Sequence, residues 1–212
     1  YDAGIVADSF RAPPDRDEPL SLTHNLAMEY LLSYADPGFT CPVAMTAGVA
    51  LVLEKFDDGQ LQEEPEALTA RDGDEVIEGA MFLTEEQGGS DVGATETIAR
   101  REGDEWRLYG EKWFCSNIDA EGKLVLARRE DAPEGTDGLS LFFVPHIVGG
   151  EPNDMLCRRL KDKLGTISVP TGEVELEGAK AHLIGETERG FKYMTEMLNL
   201  ERLSNAAAAC GI

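Results

Sequence analysis

The hydrophobic period changes twice along this chain, and the two changes restrict it to a fold that keeps its helices apart from its strands. From Leu20 the apolar residues Leu22, Leu26, Tyr30 and Leu31 recur at helical spacing until Pro37-Gly38 interrupts them. A second helix is predicted over 42–56, with Val43, Ala47, Ala50 and Leu53 on one face and Asp57-Asp58-Gly59 as its stop. After Asp74 the period shortens to two. Strands are predicted at 76–84, 94–101, 105–114, 123–129, 139–145, 155–160 and 172–177, parted by turns such as Glu102-Gly103-Asp104 and Thr136-Asp137-Gly138. At Glu186 the helical period returns through Phe191, Met194, Leu198 and Glu201 into the alanine run 206–209. Short strands gathered in one block exclude an alternating βαβ sheet and a pure helical bundle. The expected class is therefore α+β: N-terminal helices over 1–75, an antiparallel β-barrel middle domain over 76–186, and from 187 to 212 the start of a C-terminal helical domain. Residues 1–19, acidic and proline-bearing, read as an extended lead-in, and 57–75 as a solvated connection with one turn of helix.

Charge narrows the partners. Forty-one Asp and Glu against nineteen Lys and Arg give −22, which argues against a chain that neutralises nucleic-acid phosphates or sits on an anionic membrane. The carboxylates run from Asp2 to Glu201 rather than forming one tail, and only seven of the nineteen cations are Lys. Such a shell suits a salt-adapted cytoplasm, where counterions screen self-repulsion; an ordinary acidic enzyme is the other reading. The first reading predicts a thermal midpoint that rises between dilute buffer and molar KCl, and a midpoint unchanged or lowered by salt would leave the carboxylates as plain solvation. Cys41, Cys115, Cys157 and Cys210 lie far apart, as do His24, His146 and His182, so neither a zinc site nor a disulfide scaffold is expected. No apolar run approaches a membrane span, and no secretory signal is visible; a first residue of Tyr1 rather than Met suggests a partial chain.

Two stretches carry candidate chemistry. The first is Thr84-Glu85-Glu86-Gln87-Gly88-Gly89-Ser90-Asp91, after an apolar strand. Paired glycines let a ligand approach the backbone, while Thr84 and Ser90 can donate to carbonyl or phosphate oxygens. It is neither a phosphate-binding P-loop nor a dinucleotide turn, and a polar β-turn accounts for it equally well. The second is Lys112-Trp113-Phe114-Cys115-Ser116-Asn117 at a strand end, where strict alternation would set Phe114 and Ser116 on one face and Trp113 and Cys115 on the other. An aromatic ring beside a hydroxyl suits a flat heteroaromatic ligand, although an aromatic core pair followed by an Asn turn explains the same letters.

Taken together these stretches resemble the acyl-CoA dehydrogenase family. Its T-E-x-x-x-G-S-D motif is matched by Thr84, Glu85, Gly89, Ser90 and Asp91, and its G-x-K-x-(aromatic)-x-(S/T)-N strand by Gly110, Lys112, Phe114, Ser116 and Asn117. Then follow Lys163-Leu164-Gly165, Ile184-Gly185, Gly190-Phe191 and Leu198-Asn199-Leu200-Glu201-Arg202-Leu203, so the likeness covers roughly residues 40 to 212. The wording of Cys41-Pro42-Val43-Ala44-Met45-Thr46, of Lys112-Trp113-Phe114 and of Leu160-Lys161-Asp162-Lys163-Leu164-Gly165 is most similar to the DNA-alkylation-response flavoprotein branch. Ile167 departs from the family, which usually has Arg there.

The resemblance implies FAD as cofactor, with Met81, Leu83, Thr84, Gly89, Ser90, Phe114, Cys115 and Ser116 around the flavin, and Thr84, Ser90 and Arg202 toward the substrate. It implies α,β-desaturation of an acyl-CoA, a Glu removing the α-proton while the β-hydrogen leaves as hydride to flavin N5. Some family members place that Glu within L-x-x-E-R-L of the first helix after the β-domain, the position of Glu201; an ordinary helix-surface ion pair is the competing reading of this residue. Further implications are an electron-transfer flavoprotein or equivalent acceptor and a homo-oligomer, dimer or tetramer. A flavin- or acyl-CoA-binding stress-response module without significant turnover is the alternative function. No metal, no membrane association and no nucleic-acid binding by this portion are expected.

Overall fold

A computed structural model describes residues 1–212. Three helices come first: α1 (Leu22–Ala35), α2 (Thr40–Phe56) and the short α3 (Glu64–Leu68). Nine strands follow: β1 (Gly79–Phe82), β2 (Ile98–Glu102), β3 (Glu105–Ser116), β4 (Gly122–Arg129), β5 (Leu139–Pro145), β6 (Ile147–Val148), β7 (Glu151–Pro152), β8 (Met155–Leu160) and β9 (Thr171–Ile184). Helix α4 (Gly190–Gly211) is the last element. The predicted order of helices, strands and helix is thus the observed one; β6 and β7, two residues each, are too short for periodicity to reveal.

The sheet corrects one expectation. It is mixed, not wholly antiparallel: β1 and β2 both run parallel to β4, β1 against Gly122–Val125 and β2 against Arg128 and Arg129. Short hairpin turns impose antiparallel pairing on β2–β3 and β4–β5, but β1 and β2 reach β4 only through long connections, which leave direction free. The pairings β4–β2–β3–β9–β5–β4 return on themselves, and β8 joins on one flank only, against β9. Both faces of its centre are covered, Phe82 and Phe142 on one and Leu124, Leu126 and Leu141 on the other, each fully buried and contributing roughly 1.5–3 kcal/mol of transfer free energy.

Helix α2 is the hub. Its predicted face, Val43, Ala47, Ala50 and Leu53, is buried, and the helix packs on β1 and on α4. At Gly48 a β-carbon would lie 2.6 Å from Met197 Cγ, so the two helices touch at the closest distance their side chains allow. Helix α1 reverses its prediction: Tyr30, Leu31 and Leu22 are exposed, while Asn25, Glu29 and Ser33 are buried against α4 and the lead-in. Two of them find partners there, Asn25 Nδ2 donating to the Ile5 carbonyl and Ser33 Oγ to the Ala208 carbonyl at 2.8 Å, whereas Glu29 Oε2 is buried without one. The lead-in is correspondingly ordered, with Ile5 and Val6 buried beside Val43 and Ala47. No helix is long and apolar enough to cross a membrane.

Candidate functional site

The loop after β1 is held by one buried ion pair. Glu85 Oε1 lies 2.7 Å from Lys112 Nζ, with 5% and 0% of the two side chains exposed. Thr97 Oγ1 and the backbone amides of Glu96 and Thr97 donate to the same carboxylate at 2.6, 2.6 and 3.1 Å. Burial by itself would raise the Glu85 pKa, but Lys112 and these hydrogen bonds outweigh it and hold the carboxyl below its ordinary value. The Trp113 amide donates to the Thr84 carbonyl at 2.7 Å, seating Thr84 beside the end of β3. Gly89 closes over it: a β-carbon there would meet Thr84 Oγ1 at 2.8 Å, so only glycine lets the loop lie against that hydroxyl. Met81, Leu83 and Thr84 are half-buried, whereas Gly89 and Ser90 are exposed at the rim.

Strict alternation fails at the end of β3. Phe114 adopts φ 58° and Asn117 φ 51°, and the register with β9 shifts between Lys112 and Cys115. A bulge of this kind re-aims side chains. Trp113 and Phe114 accordingly sit edge to face, their centroids 6.3 Å apart, and both lie under Lys161 Nζ at 4.1 and 4.0 Å. Phe114 is nevertheless 57% exposed, with Lys161 over one face of its ring. Cys115 is fully buried, and burial pushes its thiol up to about 12, too high for a neutral-pH nucleophile. Asn117 ends the strand by donating to Glu78 and to the Gly79 carbonyl, which ties β3 back to β1.

Beyond the bulge, residues from five segments converge. Ser116 Oγ lies 2.9 Å from Thr171 Oγ1, which in turn receives Lys163 Nζ at 2.7 Å. Burial pushes the Cys41 thiol up to about 11; the Glu201 carboxylate adds to that rise, while Lys163 and the Ser116 hydroxyl oppose it, so these groups lie in the neighbourhood of Cys41 at the start of α2. Glu201 gets there through α4: it stands one turn after Met197, the residue clamped against Gly48, and therefore shares the face turned to α2. Its Oε1 is buried with no hydrogen-bond partner, and burial pushes the carboxyl up to about 7. Arg202 is exposed, bonded to Asn199 Oδ1 at 3.1 Å and turned away from Glu201. The structure thus brings Ser116 and Glu201 to the neighbourhood of Cys41, sets Phe114 two residues before Ser116 and Thr84 beside Trp113, and turns Arg202 to solvent. Cys41 and Lys163 belong to the motifs named above but had no assigned role, and Thr171 carried no signal in the sequence at all. Two surface clefts, one of about 390 Å³ between Trp106, Lys180, His182 and Ile147 and one of about 430 Å³ between Asp91, Gly93, Arg128 and Gly135, are lined by none of these residues.

The end of β3 thus carries an exposed aromatic residue and a hydroxyl pair, and α4 carries a carboxyl with one buried, unpartnered oxygen. Residues 80–179 match the sequence profile described as acyl-CoA dehydrogenase, middle domain, and they belong to that family, whose members are FAD-dependent flavoproteins. Acyl-CoA dehydrogenase family member 11 of Caenorhabditis elegans is 38% identical over 199 residues, 89% of this chain and 32% of that protein. Putative acyl-CoA dehydrogenase AidB of Escherichia coli is 34% identical over 187 residues, 83% of this chain and 34% of its own length. The crystal structure of Caenorhabditis elegans ACDH-11 in complex with C11-CoA superposes with a TM-score of 0.90 at 35% identity, covering 99% of this chain and 37% of that one. The chain spans about a third of the length of these curated relatives.

Proposed function

We propose that the full-length protein is an FAD-dependent acyl-CoA dehydrogenase in which Glu201 is the base. The observation that carries this reading is the Glu201 carboxyl, whose Oε1 is buried without a hydrogen-bond partner and which shares with Ser116 the neighbourhood of Cys41. The residues fit the cofactor: Phe114 offers a face, the Ser116 and Thr84 hydroxyls can bond its polar edge, Met81 and Leu83 give apolar support, and the glycine at 89 leaves room for backbone approach. Bound FAD would supply the acceptor for the hydrogen and electron pair leaving the β-carbon. Glu201, with a pKa near 7, is suited to take the α-proton at neutral pH, because burial has removed the water that would otherwise stabilise its charge. Ser90, at the rim, and Arg202, exposed next to Glu201 in the chain, are assigned to the substrate's outer polar part. Buried Cys115 is assigned to packing beneath the ring.

The closed set of strand pairings is read as the barrel of a middle domain over 76–186, with 1–75 and 187–212 as parts of helical domains. An electron-transfer flavoprotein or equivalent acceptor, a homo-oligomeric assembly and a salt-rich cytoplasm complete the proposal. The test begins with flavin titration of the full-length apoprotein. Ser116→Ala and Thr84→Ala should each weaken FAD by roughly three- to tenfold, the loss of one net hydrogen bond of about 0.5–1.5 kcal/mol. Retention of flavin by both as tightly as by the parent would mean the ring lies elsewhere. Reduction of an artificial electron acceptor with an acyl-CoA series then separates an enzyme from a binding module without turnover.

A further inference from the structure

We propose that Lys163 and Thr171 form a directional hydrogen-bond relay that commits the hydroxyl hydrogen of Ser116 to an acceptor in the candidate site, making Lys163 a positioning residue for cofactor recognition. Resting on the flavin reading above, that acceptor is a nitrogen or carbonyl oxygen on the polar edge of the ring.

The direction follows from donor counting. Two hydroxyls 2.9 Å apart, Ser116 Oγ and Thr171 Oγ1, can bond either way round, and left alone the pair would divide its time between the two arrangements. Lys163 removes the ambiguity. Its Nζ is 2.6 Å from the Val169 carbonyl, which can only accept, and 2.7 Å from Thr171 Oγ1. An ammonium carries three hydrogens and no lone pair, so Thr171 accepts from Lys163. The Thr171 hydrogen is then directed to Ser116 Oγ, and Ser116, accepting from Thr171, must send its own hydrogen away from β9. On that side stands the Cys41 thiol, with the Glu201 carboxyl near it. Burial lowers the Lys163 pKa from the ordinary lysine value, and the two acceptors at 2.6 and 2.7 Å are the groups that hold its hydrogens. A donor fixed in advance loses no reorganisation energy when its acceptor arrives.

The test is FAD affinity, measured by flavin fluorescence on the full-length apoprotein, in a double-mutant cycle. Lys163→Met should weaken FAD by roughly three- to tenfold, as Ser116→Ala does, and the double variant should bind no worse than Ser116→Ala alone. Lys163→Arg should bind within about twofold of the parent, because guanidinium also donates and cannot accept. Thr171→Val should behave like Lys163→Met and Thr171→Ser like the parent, an independent route should the lysine variant fold poorly. Additive losses in the double variant would show Lys163 acting independently of Ser116 and overturn the relay, as would Lys163→Met binding as tightly as the parent while Ser116→Ala binds weakly. A parent that binds no FAD would overturn the flavin reading itself and the relay with it, an outcome distinct from the other two.

Discussion

Glu201→Gln in the full-length protein is expected to lower turnover by on the order of a hundredfold or more while flavin content stays the same, since glutamine keeps the shape and loses the basicity. The pH profile supplies a second check. A carboxyl with its pKa at about 7 must be ionised to act, so kcat/KM of the parent should climb with pH to a plateau above 7, and residual turnover in the variant should lack that limb. The same burial has a stability side. A carboxyl titrating at about 7 when folded and near 4.5 when unfolded favours the folded chain fully below the lower value, and that contribution is lost as pH rises through the upper one. Glu29, raised to about 7 by burial between α1 and α4, shifts stability in the same direction over the same window. Near-normal turnover in Glu201→Gln would move the base to another residue and leave Glu201 as a packing group of α4.

Lys112→Met should be the most damaging single change to stability, by about 3–5 kcal/mol in urea unfolding, because it strands the Glu85 carboxylate in the interior without its counter-charge. In a domain whose whole stability is about 5–15 kcal/mol this approaches global unfolding. Replacing both partners, Glu85→Leu with Lys112→Met, should cost less than the sum of the single changes, since neither charge is then left uncompensated. Additive costs would show that the two groups are stabilised by separate neighbours. The pH sense is opposite to that of Glu201: Glu85 has a depressed pKa, so its contribution is present above the unfolded value and disappears as pH falls through the folded one.

The change of period placed every long strand and all three long helices, because a buried face repeats every two or every 3.6 residues whatever it packs against. Facing was less legible. The spacing of Leu22, Leu26, Tyr30 and Leu31 predicts the apolar face of α1, yet the helix turns Asn25, Glu29 and Ser33 inward, with the backbone carbonyls of Ile5 and Ala208 taking the hydrogens of Asn25 and Ser33. Periodicity counts apolar residues and cannot register a polar seam whose partners are distant in sequence. The parallel flank of β4 was hidden for a similar reason, as direction is written in local turns only where strands are joined by hairpins. Within the candidate site Ser116, Phe114 and Glu201 stood out through motif letters. Thr171 did not, because a threonine opening a strand is common and its importance depends wholly on Lys163 and Ser116 arriving from elsewhere.

Strand β8 pairs on one flank only, and what lies on it bears on how the molecule avoids self-association. An open strand edge presents unpaired amides and carbonyls that can recruit another sheet, and Leu156 and Leu160 would make this one adhesive, being 52% and 58% exposed. Between them stand two guanidinium groups, each already engaged: Arg158 with Glu111 and Glu175 at 2.7 and 3.0 Å, Arg159 with Glu173 at 2.8 Å. A strand docking here would have to strip water from these charges, so they act as gatekeepers against edge-to-edge growth. The arginines of β8 thus guard the most vulnerable margin of the sheet.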